Sequence, residues 1–313
     1  MDKNSELEKE GDAFSSLWFK FRWLFVLFLL VSLAIWVMNS AIEGQWDKLF
    51  ESPRNVRTFF MESLWPPDWS VLEPRAYPVC ERTGWLDFTC STAWIGVMET
   101  IKIAFSATVF GMLISYPIAL LAADNLNSNW ISYPARFFLA ACRSLPSILW
   151  AVLFVIMVGL GPMAGIMAMT IYTVGYLGKL QYETIEGVAK PQLDASKAMG
   201  HGWLERSFGV VLPEAANGLI SQAIFMFEYN FRHGTVIGIV GAGGIGYYIN
   251  LYLEFLQYDK VFAYVIVIFV VVLILDTISK LTRSLFNDEK YNKRHSWWSI
   301  FLPAAMVNHP EEK

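Results

Sequence analysis

Residues 238–246 read Gly-Ile-Val-Gly-Ala-Gly-Gly-Ile-Gly, and within them Gly241-Ala-Gly-Gly-Ile-Gly246 has the G-x-G-x-x-G spacing of a dinucleotide-binding turn. The run just before it, Thr235-Val-Ile-Gly-Ile-Val240, is strand-like in composition. Gly241, Gly243, Gly244 and Gly246 therefore admit two readings that imply different fold classes. In a soluble βαβ unit the glycines bring a pyrophosphate against a helix N-terminus, and an acidic residue about twenty positions on holds the ribose. In a membrane bundle they break a helix and leave irregular backbone, which is tolerated only where it is buried in protein or lines a water-filled cavity. Glu254 comes too early to be the ribose partner, and another apolar run follows it.

Composition selects the second reading. Hydrophobic residues make up 55% of the chain and charged residues 17%, respectively above and below the shares of a soluble domain. Six segments approach the roughly 20 apolar residues that a helix needs to cross a bilayer: Phe21–Met38, Trp94–Ala122, Phe137–Gly159, Met163–Tyr182, Ala216–Val240 and Val261–Ser279. The expectation is an all-α membrane protein with six transmembrane helices. A net charge of -4 is too small for this length to point to nucleic acid. The segment before the first span carries Asp2, Glu6, Glu8, Glu10 and Asp12 and no small-residue cleavage site follows, which argues against a removed signal peptide.

Lys and Arg near helix ends set orientation. With both termini cytoplasmic, the inner side holds Lys3, Lys9, Lys20, Arg22, Lys190, Lys197, Arg206, Arg283, Lys290, Lys293 and Arg294, while in the loop 40–92 acidic residues outnumber basic ones. The expected organisation is a cytoplasmic segment 1–20, a first span 21–39, a periplasmic loop 40–92, a core 93–284 and a cytoplasmic tail 285–313. Trp297, Trp298, Ile300, Phe301 and Leu302 in that tail suit a short interfacial segment or a disordered end. Cys80 and Cys90, with nine residues between them in the periplasmic loop, can close a disulfide or remain free. Cys142, inside an apolar run, reads as a packing residue.

The stretch 183–213 is long and polar for a connector. It reads as a continuation of the fourth span to Ala189, a helix Gln192–Met199 opened by Pro191 and stopped by Gly200-His-Gly202, and a second helix Trp203–Val210 ending before Leu212-Pro213. Asp194-Ala195-Ser196, Gly200, Val210 and Leu212-Pro213 fall at the spacing E-A-A-x₃-G-x₉-I-x-L-P, with Asp for Glu, Ser for Ala and Val for Ile. This pattern resembles the cytoplasmic coupling loop of the membrane subunits of binding-protein-dependent ABC importers. Arg143-Ser-Leu-Pro146, Val158-Gly-Leu-Gly-Pro162, Gly175-Tyr-Leu-Gly-Lys179 with Glu183 and Ile185-Glu186, Glu228-Tyr-Asn-Phe-Arg232 and the run Thr235–Gly246 sharpen the likeness, over about residues 94–284, to permeases of phosphonate and phosphite importers. The first external loop is longer than that family usually has.

The resemblance implies a type I importer fold in the inner membrane, acting as a homodimer with two ATP-binding subunits, an external solute-binding protein and surrounding lipid. The short helix with Asp194, Ala195, Ser196 and Gly200 would dock on the ATPase, its small residues permitting close approach. No cofactor belongs to this chain: it has no G-x-x-x-x-G-K-[ST], so ATP and magnesium would be bound by the partner ATPase. No His/Cys cluster has metal-ligand spacing and no catalytic constellation is present, so the chain reads as a permease and not an enzyme.

Ionisable groups in membrane helices are functional suspects. The fifth span carries Glu228, Asn230, Arg232 and His233, candidates with the four glycines for a pathway or gate. Glu228 and Arg232 are spaced to neutralise one another, and Arg232 otherwise offers attraction to an oxyanion near the outer boundary. Glu99 and Lys102 pair or snorkel; Arg143 and Lys179 anchor helix ends or line an exit path. Two other classes stay open. An importer of this kind can carry a different small solute, and a lone buried Glu228 would suit an ion-coupled transporter.

Overall fold

The computed structural model describes residues 3–43, 46–74 and 87–286, in two compact units, Met1–Trp65 and Pro66–Lys313. The tail 287–313 and Cys80 lie outside the described residues.

In the first unit, α1 runs Lys3–Ala41 and α2 Asp47–Phe59, followed by a turn of π-helix at Phe60–Leu64. The stretch Arg22–Ala41 is apolar on every side and none of it is buried, the pattern of a helix solvated by lipid. Part of what reads in the sequence as a long loop is therefore helical.

The second unit holds α3 (Thr92–Ala122), α4 (Asn129–Ser144), α5 (Ser147–Val158), α6 (Pro162–Glu186), α7 (Lys190–Ala198), α8 (Trp203–Arg206), α9 (Leu212–Ile237), α10 (Ile245–Glu254) and α11 (Tyr258–Phe286). Ser91 caps α3 by accepting the Trp94 N–H at 3.2 Å. The end of the expected loop is docked on the bundle. Asp68 donates its N–H to the Asp259 carbonyl at 3.2 Å and pairs with Lys260, Val71 is fully buried, and Thr92 bonds the Tyr264 hydroxyl at 2.6 Å. Cys90 is disulfide-bonded.

α6 is the central helix, packed against α3, α4, α5 and α9. Small residues let its neighbours close in: a Cβ on Gly175 would lie 2.7 Å from both Arg143 N and Leu139 O of α4, and one on Gly111 of α3 would collide with Thr173. The core continues at one end of the bundle with Leu120, Ile185, Leu193, Val211 and Leu219, and at the other with Ile103, Phe154, Met169 and Ile237.

Four departures from the sequence expectation follow from local chemistry. Phe137–Gly159 is not one straight span: α4 and α5 meet at an 82° bend, because Leu145 before Pro146 is driven to extended backbone and the helix cannot continue. Trp203–Val210 does not end before Leu212-Pro213. The chain stays helical from α8 through a π-turn, Ser207–Val211, into α9. There the Leu212 N–H reaches back to Ser207 O, and this wider turn accommodates the proline, which has no N–H to give. The segment after the glycines, expected as a connector, contains α10. Finally, among the described residues four helices meet the length and composition of a span, five if the bent pair is one. The remaining expected span lies in α6, which is 25 residues long; its Gln181 and Thr173 are buried against protein, while Lys179 and Glu183 stay accessible toward its end.

Candidate functional site

The glycine-rich turn follows a helix, not a strand: α9 passes through a turn of 3₁₀ helix, Gly238–Val240, before the chain reverses. Gly241, Gly243 and Gly244 have φ of 85°, 81° and 77°, which side chains other than glycine adopt at a cost. The turn is packed into the bundle. A Cβ on Gly246 would strike the Thr235 carbonyl and one on Gly243 would lie 2.9 Å from Pro162 N. Several of its N–H groups are engaged within the chain, Ile245 donating to Thr100 Oγ1 at 2.9 Å and Gly241 to Gly238 O at 3.0 Å, and the Glu99 carboxylate lies 2.9 Å from where a Cβ on Gly243 would stand. The Gly241 carbonyl accepts the Gly161 N–H at 2.9 Å, tying the turn to the α5–α6 connection. A carboxylate, not an anion-attracting group, therefore sits beside these donors. Lys102, one turn along from Glu99, is exposed.

The polar residues of α9 fall on three faces. Toward α11, Glu228 and Arg232 form a four-membered charge cluster with two residues that sequence reasoning passed over, Asp276 and Arg283. Arg283 Nη2 meets Glu228 Oε1 and Arg232 Nη2 meets Asp276 Oδ1, each at 2.5 Å, while Arg232 to Glu228 is 3.6 Å. Asp276 is about 27 Å along α11 from Tyr258 at 1.5 Å per residue, nearer its Phe286 end. Arg232 is therefore level with a residue nearer the Phe286 end of α11 than its Tyr258 end. No lone buried carboxylate is left here, since Glu228 has two cations.

Toward the core, Asn230 is fully buried and joins three helices: its amide donates to Thr108 Oγ1 of α3 at 2.9 Å and to Thr173 Oγ1 of α6 at 3.0 Å. Ser115 and Gln181 make a second α3–α6 bond at 2.7 Å. Bonded to both neighbours, Asn230 ties α3, α6 and α9 together.

On the third face α6 and α9 share a half-exposed ladder of rings. Tyr229 and His233 stack at 3.9 Å, Tyr172 and Tyr176 of α6 lie within 5.9 Å of Tyr229, and the Tyr172 and Tyr229 hydroxyls bond at 2.7 Å. Lys179 and Glu183 extend it at 3.4 Å from one another. The contrast with α11 is sharp, whose outward residues are Val265, Phe269, Val270, Leu273, Ile274 and Ile278. A polar, ring-lined face beside lipid-type faces needs water or protein against it. Of the sequence candidates His233 and Lys179 belong to it; Tyr176 and Tyr229 lie inside the quoted motifs but carry no charge to single them out, and Tyr172 lies outside them.

At the opposite end of α6 lies the 183–213 segment. α7 begins with Pro191 in its first turn, and ends at Gly200, whose φ of 80° allows a Schellman closure: Gly200 donates to Lys197 O at 3.0 Å and His201 to Ser196 O at 3.2 Å. Leu193 and Ser196 face inward and are buried, Ser196 Oγ bonding His201 Nδ1 at 3.0 Å. Ser196 is thus an anchor and not part of an outward small-residue face. Asp194, Ala195, Lys197, Ala198, Met199 and Gly200 point outward, beside exposed Leu204 and Phe208; Pro213 is exposed and Leu212 half-buried. Asp194 and Lys197 stand 3.9 Å apart. This small, mixed apolar and charged platform is held from below by polar groups the sequence did not single out, Asp124, Asn125, Asn127 and Arg136.

Residues 115–284 match the family described as binding-protein-dependent transport system inner membrane component. A phosphate-import permease protein, PhnE, of Mycolicibacterium smegmatis is 37% identical over 187 residues, 59% of this chain and 35% of that protein, so the match spans about a third of its length. The phosphite transport system permease protein PtxC of Stutzerimonas stutzeri is 34% identical over 64% of this chain and 74% of that protein. Among solved structures, an inward-facing MetNI methionine ABC transporter chain superposes with a TM-score of 0.55 at 22% identity, over 62% of this chain and 96% of that one. The fold is that of a type I ABC importer permease.

Proposed function

This chain belongs to the binding-protein-dependent transport system inner membrane component family, which matches more than half of it, and we propose that it is the permease subunit of an ATP-driven importer of phosphonate, phosphite or a related small oxyanion. The observation that carries the reading is the 183–213 segment. A short helix anchored by Leu193 and Ser196 presents Asp194, Ala195, Lys197, Ala198 and Met199 outward, a surface with no role inside this chain and suited to a separate ATPase. Two copies of the chain, two ATP-binding subunits and a periplasmic binding protein would complete the machine, in the inner membrane with both termini cytoplasmic. ATP and magnesium stay with the ATPase. Force on α7 would shift the bundle between inward- and outward-open states, each ligand acting through its differential affinity for the two.

The α6–α9 ring ladder is the best-supported pathway wall, with His233 and Lys179 as its basic groups. The glycine turn and the Glu228–Arg232–Asp276–Arg283 cluster then act as packing and gating elements behind it. Solute identity rests on the relatives' names together with the sequence motifs. Pairing Glu228 with two arginines removes the feature that favoured ion coupling.

Co-purification of the tagged chain from native membranes in mild detergent tests the assignment. An ATPase recovered in comparable amount, and lost on reversing charge at Asp194, supports it. A chain that purifies alone and takes up solute on an ion gradient without ATP refutes it; competition among phosphite, phosphate, methylphosphonate and amino acids then assigns the solute.

A further inference from the structure

The α3–α4 loop, residues 123–128, holds both stems of the coupling segment at once. On the upstream stem, Asn125 Nδ2 donates to Ile185 O at 2.8 Å, and the Asp124 N–H donates to Glu186 Oε1 at 2.9 Å. Arg136, on the second turn of α4, clamps the same place. Its Nε–H donates to Ala122 O at 2.8 Å, its Nη2 reaches Asp124 at 2.7 Å and also pairs with Glu186, and its guanidinium lies 4.9 Å from the Tyr182 ring centre. On the downstream stem, Trp203 Nε1 donates to Asn127 Oδ1 at 3.0 Å, while Asn127 Nδ2 bonds Leu120 O at 2.6 Å.

Glu186 is the last residue of α6, and Trp203 the first of α8. Everything between them, α7 included, is therefore fastened at both ends to one short loop. Leu193 also packs α7 into the buried cluster with Leu120, Leu126, Ile185 and Val211, so the polar ties on the two stems reinforce an apolar anchor to the end of α3. With both stems tied, a displacement of α7 must reach the end of α3 and the start of α4. From α4 it passes to the 82° bend and α5. The contacts are partly exposed, with Arg136 26%, Glu186 30% and Asp124 47% accessible, so their ion pairs contribute little to folding stability. Their geometry, three acceptors on one guanidinium and two stems on one loop, has its use in transmission.

We propose that the 123–128 loop with Arg136 is a yoke that converts movement of the coupling segment into movement of α3 and α4, Asn127 and Arg136 being positioning residues for transport. The inference rests on the permease assignment above.

The test uses the complete importer, permease with its ATPase and binding protein, reconstituted in liposomes, with phosphite, phosphate and methylphosphonate offered and the one the unaltered importer takes up used throughout. Trp203→Phe removes the N–H that bonds Asn127 and leaves a smaller aromatic ring in its place; Arg136→Lys keeps the charge and loses the fork. In the double variant the ATPase should co-purify as before and hydrolyse ATP at the unaltered rate, while solute moved per ATP falls about tenfold, a typical coupling free energy. Unchanged solute per ATP overturns the yoke. So does a parallel fall of hydrolysis, uptake and co-purification, which marks the contacts as purely structural; restoring transport by Arg136→Lys alone in place of Arg136→Ala, with hydrolysis constant in both, would locate the function in charge and not in the fork and overturns the bridging geometry. If the unaltered importer shows no ATP-dependent uptake, the permease assignment fails first and separately.

Discussion

Gly200 offers a graded perturbation whose outcome can be worked out from backbone geometry. Its φ is 80°, its N–H closes on Lys197 O at 3.0 Å, and a Cβ placed on it would meet nothing within 4 Å. Gly200→Ala therefore costs only the left-handed strain, about 1–2 kcal/mol. That lowers the closed-to-open ratio of the α7 cap by about 5- to 30-fold. Gly200→Asn costs less still, since asparagine tolerates this region. Gly200→Pro is different in kind: φ is fixed near –65° and the N–H is gone, so the closure cannot form at all. The assay is ATP-dependent uptake alongside the amount of chain in the membrane fraction. Uptake should fall in the order Gly, Asn, Ala, Pro, reaching background at Pro, with membrane amounts equal throughout. Full transport by the proline variant, or an alanine variant as poor as proline, would refute the conformational argument.

Other expectations are read from the same structure. Gly175→Ala forces a methyl against the α4 backbone, and should destabilise the purified protein by about 1–3 kcal/mol, seen as a lower melting temperature in detergent. Asn230→Leu removes bonds to two helices and should cost about 1–3 kcal/mol, with hydrolysis and uptake reduced only as far as folded protein is lost; a larger, selective loss of uptake would put Asn230 in the pathway. Arg232→Ala should slow anion uptake more than it harms assembly, and Asp276→Asn added to it should recover assembly by removing the orphaned carboxylate; uptake unchanged by Arg232→Ala would mean a structural pair only. Water-soluble thiol reagents should label Tyr176→Cys but not Ile274→Cys in a chain whose Cys142 is replaced by serine, and equal labelling would remove the ring ladder from the pathway.

Spans and caps were legible because each has a one-dimensional signature. Pro191, Gly200 and the E-A-A-like spacing placed α7 within two residues at its N-terminal end and one at its C-terminal end. The bend at Pro146 was also written in the sequence, but the apolar stretches on either side of Arg143-Ser144 masked it. Pro213 misled in the opposite sense, since a π-turn that absorbs a proline leaves no local mark. The charge cluster illustrates a further limit. Glu228 and Arg232 are one helical turn apart and visible as a pair, whereas Asp276 and Arg283 join them only through α11, dozens of residues on. The same holds for Asn127 and Trp203, separated by 76 positions and bonded in space.

The polarity of α6 bears on how the chain reaches its folded state. A helix with Thr170 and Thr173 midway and Lys179, Gln181, Glu183 and Glu186 toward its C-terminal end is less apolar than the other spans and partitions into hydrocarbon poorly by itself. It leaves the ribosome after α3, α4 and α5, the helices that surround three of its sides, and before α9. Its passage into the bilayer is thus expected to depend on those earlier helices being in place to shelter its polar groups. Synthesis order becomes a folding instruction: a rearranged chain in which α6 emerged before α3 would strand that helix in the aqueous phase, although every contact of the finished bundle were still available to it.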